Sequence, residues 1–408
     1  MSKFSSKSKY SVALRIRKHA ASVFIRSGIL PWFLLTAILI FSLSSDSFLT
    51  TYNIMLIGRQ STYLVLAALG QMVALLTAGL DLSVGAIFAF TSVITAMVMV
   101  SYLNAYPEAI WMSILIGSLA GLTTGIVIGA VNGVGIAIFQ VPPFIMTLAT
   151  ASIMSGLALK ITAGVPIYGM PEQFSEIFGY GLLGGIAVPT LFAAGFAILM
   201  YVILSWTRMG RYIYAIGGNP KAALLSGIRT RLHLFMAYVL CGGITAVAAV
   251  LMTARLESGE ANLGQAYPLQ SIAACVIGGV SIFGGIGRVP SVVLGAIFII
   301  LVQNGMHSMH IDFLRSLVEP ALEESQHPDQ PRLAFDQLLA ETNALTETSS
   351  GSGIEVPSWI VALEEEIELL RYPDYIRYDE KRIRDVIPQK LLSIEEVDQQ
   401  LQLWLKQQ

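Results

Sequence analysis

The chain has 408 residues, 54% of them hydrophobic and only 13% charged, with a mean hydropathy of +0.67. Soluble domains carry about 25% charge, so an assembly of water-soluble domains is excluded. Charge also divides the chain: residues 1–318 hold 17 basic and 8 acidic groups (+9), whereas residues 319–408 hold 8 and 19 (−11). An apolar, glycine-rich membrane body thus precedes an acidic, water-soluble tail.

In chain order, the arm 1–26 carries seven basic residues and no acidic one, and leads into a wholly apolar run. It resembles a secretory signal, but the basic region is long and many apolar runs follow, so a retained first span is expected. A crossing helix needs about 20 mostly apolar residues. Nine runs qualify: 27–45, 54–78, 83–102, 109–130, 142–162, 188–207, 232–254, 268–283 and 289–308. The eighth is short, which suggests a broken or re-entrant element. Helix is the expected state, because lipid cannot satisfy an open backbone. The fold class expected is therefore all-α, a polytopic transmembrane helical bundle with a separate, partly helical tail. Gly125 and Gly129 form a GxxxG, for which ordinary close packing is a sufficient explanation. Cys241 and Cys275 both lie in apolar runs and are expected to be buried small hydrophobes.

With the N-terminus in the cytoplasm, inside loops hold 13 basic residues: the arm, five in 208–231, and Arg288. Outside loops hold one, Arg255. That asymmetry is what the positive-inside rule demands. Arg59 and Lys160 lie near outer ends of their spans, where they are expected to snorkel to the interface or, alternatively, to line a polar path. Nine crossings from an inside start put the tail from Glu319 outside; an eighth run that fails to cross would instead leave it in the cytoplasm.

Three stretches carry chemistry. In 210–228, Asn219 is a favoured N-cap, Pro220 suits the first helical position, and Gly227 can end the helix in the left-handed region. The cytoplasmic loop therefore contains a short capped helix, too short to be stable alone. In 77–85, Asp81 is expected to cap the third span, with glycines around it permitting a tight reversal. The stretch 276–290 is glycine-rich but lacks the Gly-Lys-Ser/Thr ending of a phosphate-binding loop. It reads as a broken helix and a tight cytoplasmic turn. No catalytic set is legible. The histidines are dispersed, and His307 and His310, although on one helical face, have no carboxylate nearer than Asp312.

These stretches, with Gln303-Asn304-Gly305, resemble the permease subunits of bacterial ATP-binding-cassette importers for monosaccharides. The resemblance is to the ribose, xylose and galactoside branch, which also serves autoinducer-2, and runs from about residue 30 to 315. It implies two permease subunits forming the path, two cytoplasmic ATPase subunits beneath them, and a periplasmic sugar-binding protein above. ATP and magnesium would sit on the ATPase, leaving this chain without a cofactor, a metal or a nucleic-acid partner. It further implies that Gly218, Asn219, Pro220, Lys221, Ala222, Ala223, Leu224, Leu225, Ser226 and Gly227 form the coupling helix. Gly79, Asp81, Ser83 and Gly85 would form one motif turn, and Gly278, Gly279, Gly284, Gly285, Gly287 and Arg288 a second. Members of the family end with a tenth span. Here Glu319, Pro320, Glu323 and Glu324 interrupt it, so residues 27–315 are expected to form the permease domain, 316–358 a linker, and 359–408 an acidic helical tail. The competing function is a non-transporting scaffold that presents the tail.

Overall fold

The computed structural model describes residues 30–45 and 48–324. The basic arm and the tail beyond 324 lie outside the described residues, as does the segment 325–358 of the expected linker. The chain forms α1 (Leu30–Ser44), α2 (Thr51–Leu76), α3 (Val84–Ala105), α4 (Ile110–Ala137), α5 (Pro143–Thr162) and, after a helical turn, a π turn and a two-residue hairpin, α6 (Val188–Trp206). There follow α7 (Arg208–Gly218), α8 (Pro220–Leu225), α9 (Thr230–Leu256), α10 (Tyr267–Ile277) and α11 (Val289–Glu324). The protein is a multi-span helical bundle, as expected. Among the described residues six helices are long and apolar enough to cross a membrane: α3, α4, α5, α6, α9 and the part Val289–Met309 of α11. The helix α11 runs on through Pro320 to Glu324, into the segment expected to be linker.

Helix α2 falls outside those six by composition and not by length, because Arg59, Gln60 and Gln71 dilute it. Its position explains why Gln71 is tolerated, while Arg59 and Gln60 stay partly exposed. Each residue from 61 to 76 is buried, and α2 packs against α6, α9 and α10. A helix wrapped in protein meets no lipid, so polar side chains need only find partners.

The helix α4 is held by a ladder of glycines at every fourth position. Gly117 faces Met99, Gly121 faces Thr95 and Val250, Gly125 faces Ala246 and Gly242, Gly129 faces Tyr238, and Gly133 faces Phe235. A Cβ on Gly133 would lie 2.8 Å from the Phe235 carbonyl. The GxxxG is thus two rungs of a longer seam that lets the backbones of α4 and α9 meet.

Two connections enter the interior as irregular backbone. Residues 77–83 fold back along α2, and the Gln71 amide donates to Asp81 O at 2.9 Å and accepts from Asp81 N at 3.2 Å. Residues 257–266 descend along α3: Gly259 packs on Ala96 and Ser92, Gly264 on Phe88. Side chains satisfy the exposed backbone, as the interior requires. Thr147 Oγ1 accepts from Leu82 N at 3.1 Å, and Ser92 Oγ accepts from Glu260 N at 3.1 Å. Tyr267 then stacks on Phe88, centroids 4.4 Å apart, and starts α10 inside the body. With 11 residues α10 is about 16 Å long, so the eighth run is a half-length helix and not a crossing helix. Both cysteines are free and buried, and Cys275 Sγ donates to Ala68 O at 3.2 Å.

Candidate functional site

The short helix α8 forms where its caps predict. Asn219 Oδ1 accepts from Ala222 N at 3.0 Å, and Pro220 occupies the first turn. Gly227 (φ +81°) ends it, with Gly227 N donating to Leu224 O at 3.0 Å and Ile228 N to Ala223 O at 3.1 Å. Ala223 is buried against the body, whereas Leu224 and Leu225 are 61% and 89% exposed. Six residues with two leucines facing outward need a partner surface or a bilayer to cover them.

It is joined to the end of α2 through α7. Helix α7, capped by Thr207 through Gly210 N at 3.3 Å, delivers Gly217 onto Leu76. A Cβ at Gly217 would overlap the Leu76 carbonyl and lie 2.5 Å from Gly285 N. The same Leu76 carbonyl accepts from Gly285 N at 3.0 Å. Gly284 (φ +88°) meets Ala78 and Gly217, and Gly285 (φ +73°) meets Gly218. The turn is closed by Ser281 N donating to Ile286 O at 2.9 Å. Three separate stretches, 76–78, 217–218 and 284–285, therefore meet backbone on backbone, which only glycine permits at this spacing.

Beside this junction lies a pocket of about 440 Å³ lined by Tyr214, Gly278, Gly279, Gly285, Ile286, Gly287, Arg288 and Ser291. The Tyr214 hydroxyl donates to Gly287 O at 2.8 Å. Burial pushes that hydroxyl above the usual tyrosine range, with the Arg288 charge opposing, so it stays a donor at neutral pH. Ile282, Phe283 and Ile286 are exposed here, Phe283 at 89%. They were not singled out from sequence. Their signal was three bulky apolar residues in a turn where polar ones are usual.

The rest of the first motif turn goes elsewhere. Asp81 is fully buried, and Asp81 Oδ1 accepts from Ser83 N at 2.9 Å and Ser83 Oγ at 2.5 Å. Asn132 Nδ2 donates to Ser83 Oγ at 2.8 Å. The expected cap on the third span is corrected: Ser83 holds the N-cap position of α3 without a side-chain cap bond, and Asp81 bonds Ser83 instead. The fold-back of 77–83 leaves the carboxylate one step short of the helix. Gly79 lies against the Tyr238 hydroxyl, and a Cβ at Gly85 would lie 2.7 Å from Gly264 O. Asn132, Thr147 and Tyr238, distant in sequence, gather with Gln71 around this turn as a polar knot that no local motif announces. Within it the Tyr238 hydroxyl and Asp81 Oδ2 make no hydrogen bond.

The Arg59 guanidinium donates through Nη2 to Tyr180 O at 3.0 Å and stays partly exposed. Lys160 is exposed, as an interfacial anchor would be.

A family model described as "Branched-chain amino acid transport system / permease component" matches residues 53–318. The D-allose transport system permease protein AlsC of Escherichia coli is 36% identical over 277 residues, 68% of this chain and 82% of that protein. The ribose import permease protein RbsC of Bacillus subtilis is 37% identical over 282 residues, 69% of this chain and 85% of that one. The galactose/methyl galactoside import permease protein MglC of Haemophilus influenzae is 36% identical over 285 residues, 67% and 85% respectively. No solved structure matches the chain.

Proposed function

The chain belongs to the branched-chain amino acid transport system / permease component family, and from that premise we propose that it is the membrane-spanning subunit of an ATP-driven importer. It forms the translocation path and is not an enzyme; ATP hydrolysis falls to a partner chain. The relatives named above are permeases for allose, ribose and galactosides, so a monosaccharide or a similar small polar solute is the cargo.

One observation supports the coupling role of α8 most directly. Helix α8, with its exposed Leu224 and Leu225, directly follows α7, whose Gly217 packs backbone to backbone on Leu76 at the end of the buried helix α2. A partner that pulled on α8 would move α2 with it, a rigid-element lever of the kind that switches transporters. The partners this implies are cytoplasmic ATPase subunits at α8, a periplasmic sugar-binding protein, and a second permease subunit. The protein resides in the bacterial inner membrane with its N-terminus in the cytoplasm.

Replacing both Leu224 and Leu225 with Asp tests the coupling role. The variant is expected to insert normally and to lose co-purification with its ATPase. An unchanged ratio of ATPase to permease rejects the assignment. Orientation has its own test: Pro220→Cys should react with an impermeant thiol reagent only after the cytoplasm is opened, and Glu172→Cys in intact cells. The native cysteines are buried and stay silent.

A further inference from the structure

At the end of α2 remote from α8, two arginines converge on one aromatic ring. The Arg59 guanidinium lies 5.9 Å from the Tyr180 ring centroid and that of Arg255 lies 5.8 Å from it. Two hydrogen bonds hold the arrangement: Arg59 Nη2 donates to Tyr180 O, and the Tyr180 hydroxyl donates to Arg255 O at 3.0 Å. The π turn Ser175–Gly179 presents Tyr180 here because Gly179 packs directly on the backbone of Ala254 and Arg255.

Hydrogen bonding at this place is incomplete. Arg59 Nε and Arg255 Nη1 are buried without an acceptor, and so is the hydroxyl of Tyr63, which is 3% exposed. The Tyr63 hydroxyl lies beside Arg255 but outside hydrogen-bond geometry to it. Among the described residues neither arginine has a carboxylate within ion-pair distance. Glu257, two residues from Arg255, and Glu176 of the π turn are exposed and make no ion pair with them, and Glu260 accepts from Ser258 Oγ at 2.8 Å. Two guanidiniums, each with an unmet buried donor and neither ion-paired, offer N–H groups that an oxyanion could accept from. Both arginines and Tyr180 remain partly exposed, so the place can be reached from solvent.

We propose that Arg59, Arg255, Tyr180 and Tyr63 form a binding site for the carboxylate of a small acidic solute. The guanidiniums supply charge-assisted donors, which match a carboxylate in shape. The Tyr180 ring holds both cations in place while the site is empty. This site is distinct from the α8 junction: Arg59 and Leu76 are 17 residues apart on one helix, about 25 Å. The inference is independent of the transport reading, because it is read on the isolated chain.

The test uses the full chain in phosphatidylcholine nanodiscs, titrated calorimetrically with D-galacturonate and with D-galactose at low salt. Galacturonate is expected to bind at least tenfold more tightly than galactose, and to weaken steeply as ionic strength rises. Arg59→Gln and Arg255→Gln should each weaken it at least tenfold, with Arg255→Lys partly restoring it. Equal affinities for the two sugars, or no binding of galacturonate, overturn the proposal without any variant having to fold. Indifference to both glutamine substitutions in folded protein overturns it as well. So does loss of galacturonate binding when phosphatidylglycerol replaces part of the lipid, because a lipid phosphate would then be the occupant.

Discussion

The two ends of α2 are built from different materials. At the Leu76 end, α2, α7 and the turn before α11 touch through glycine backbone, with no side chain able to yield. At the Arg59 end, α2 meets the π turn and α9 through two arginines and a tyrosine, long side chains with many rotamers. Close-packed backbone transmits displacement and has few alternative arrangements. Side-chain contacts of this kind can be broken and remade at about 1 kcal/mol each. The first end suits a mechanical joint and the second a place where a ligand competes with the protein's own contacts.

Breaking the joint should have the largest effect. Gly217→Ala places a methyl group against the Leu76 carbonyl, which cannot move without shifting α2. A loss of about 3–5 kcal/mol is expected, read as a large fall in thermal stability of the purified protein. Gly218→Ala is the matched control, because nothing lies within 4 Å of its Cβ. It should be neutral or slightly stabilising, by up to about 1 kcal/mol. Similar losses at both positions would show that helix propensity, and not the close approach, governs this end.

An intermediate effect is expected from the polar knot that lies between the two ends. Asp81→Ala leaves Ser83 N–H and hydroxyl without their acceptor in a dry interior, for a loss of about 2–4 kcal/mol. Asp81→Asn keeps an acceptor oxygen and should cost about half as much or less. Thermal unfolding of the pair separates the two cases, and equal losses would mean that the negative charge itself is what matters.

The smallest effect belongs to the Arg59 end. Tyr180→Phe removes the hydrogen bond to Arg255 O and keeps the ring between the cations, so about 0.5–1.5 kcal/mol should be lost. Hydrogen exchange of the π turn should quicken by a matching factor while α7 and α8 stay unchanged. A loss as large as that of Gly217→Ala would erase the contrast between the ends.

Much of this protein was legible without coordinates, and the reason is locality. The caps of α8 involve Asn219 and Ala222, or Gly227 and Leu224, groups within three residues of each other, so residue types alone announced them. The apolar runs announced the helices because the bilayer demands length and composition, both properties of a single segment. The glycines of 278–287 were visible as glycines, but their purpose was not. Whether a glycine is required depends on the backbone lying opposite, and for Gly217 that is Leu76, 141 residues earlier. The tight reversal and the short eighth run themselves were legible. The same limit hid the partners of Asp81, which bonds Ser83 in a buried knot with Asn132 instead of capping a helix, and the packing of 257–266 on α3. Those outcomes are settled by packing between distant segments, where the need to satisfy every buried backbone group outweighs local preference.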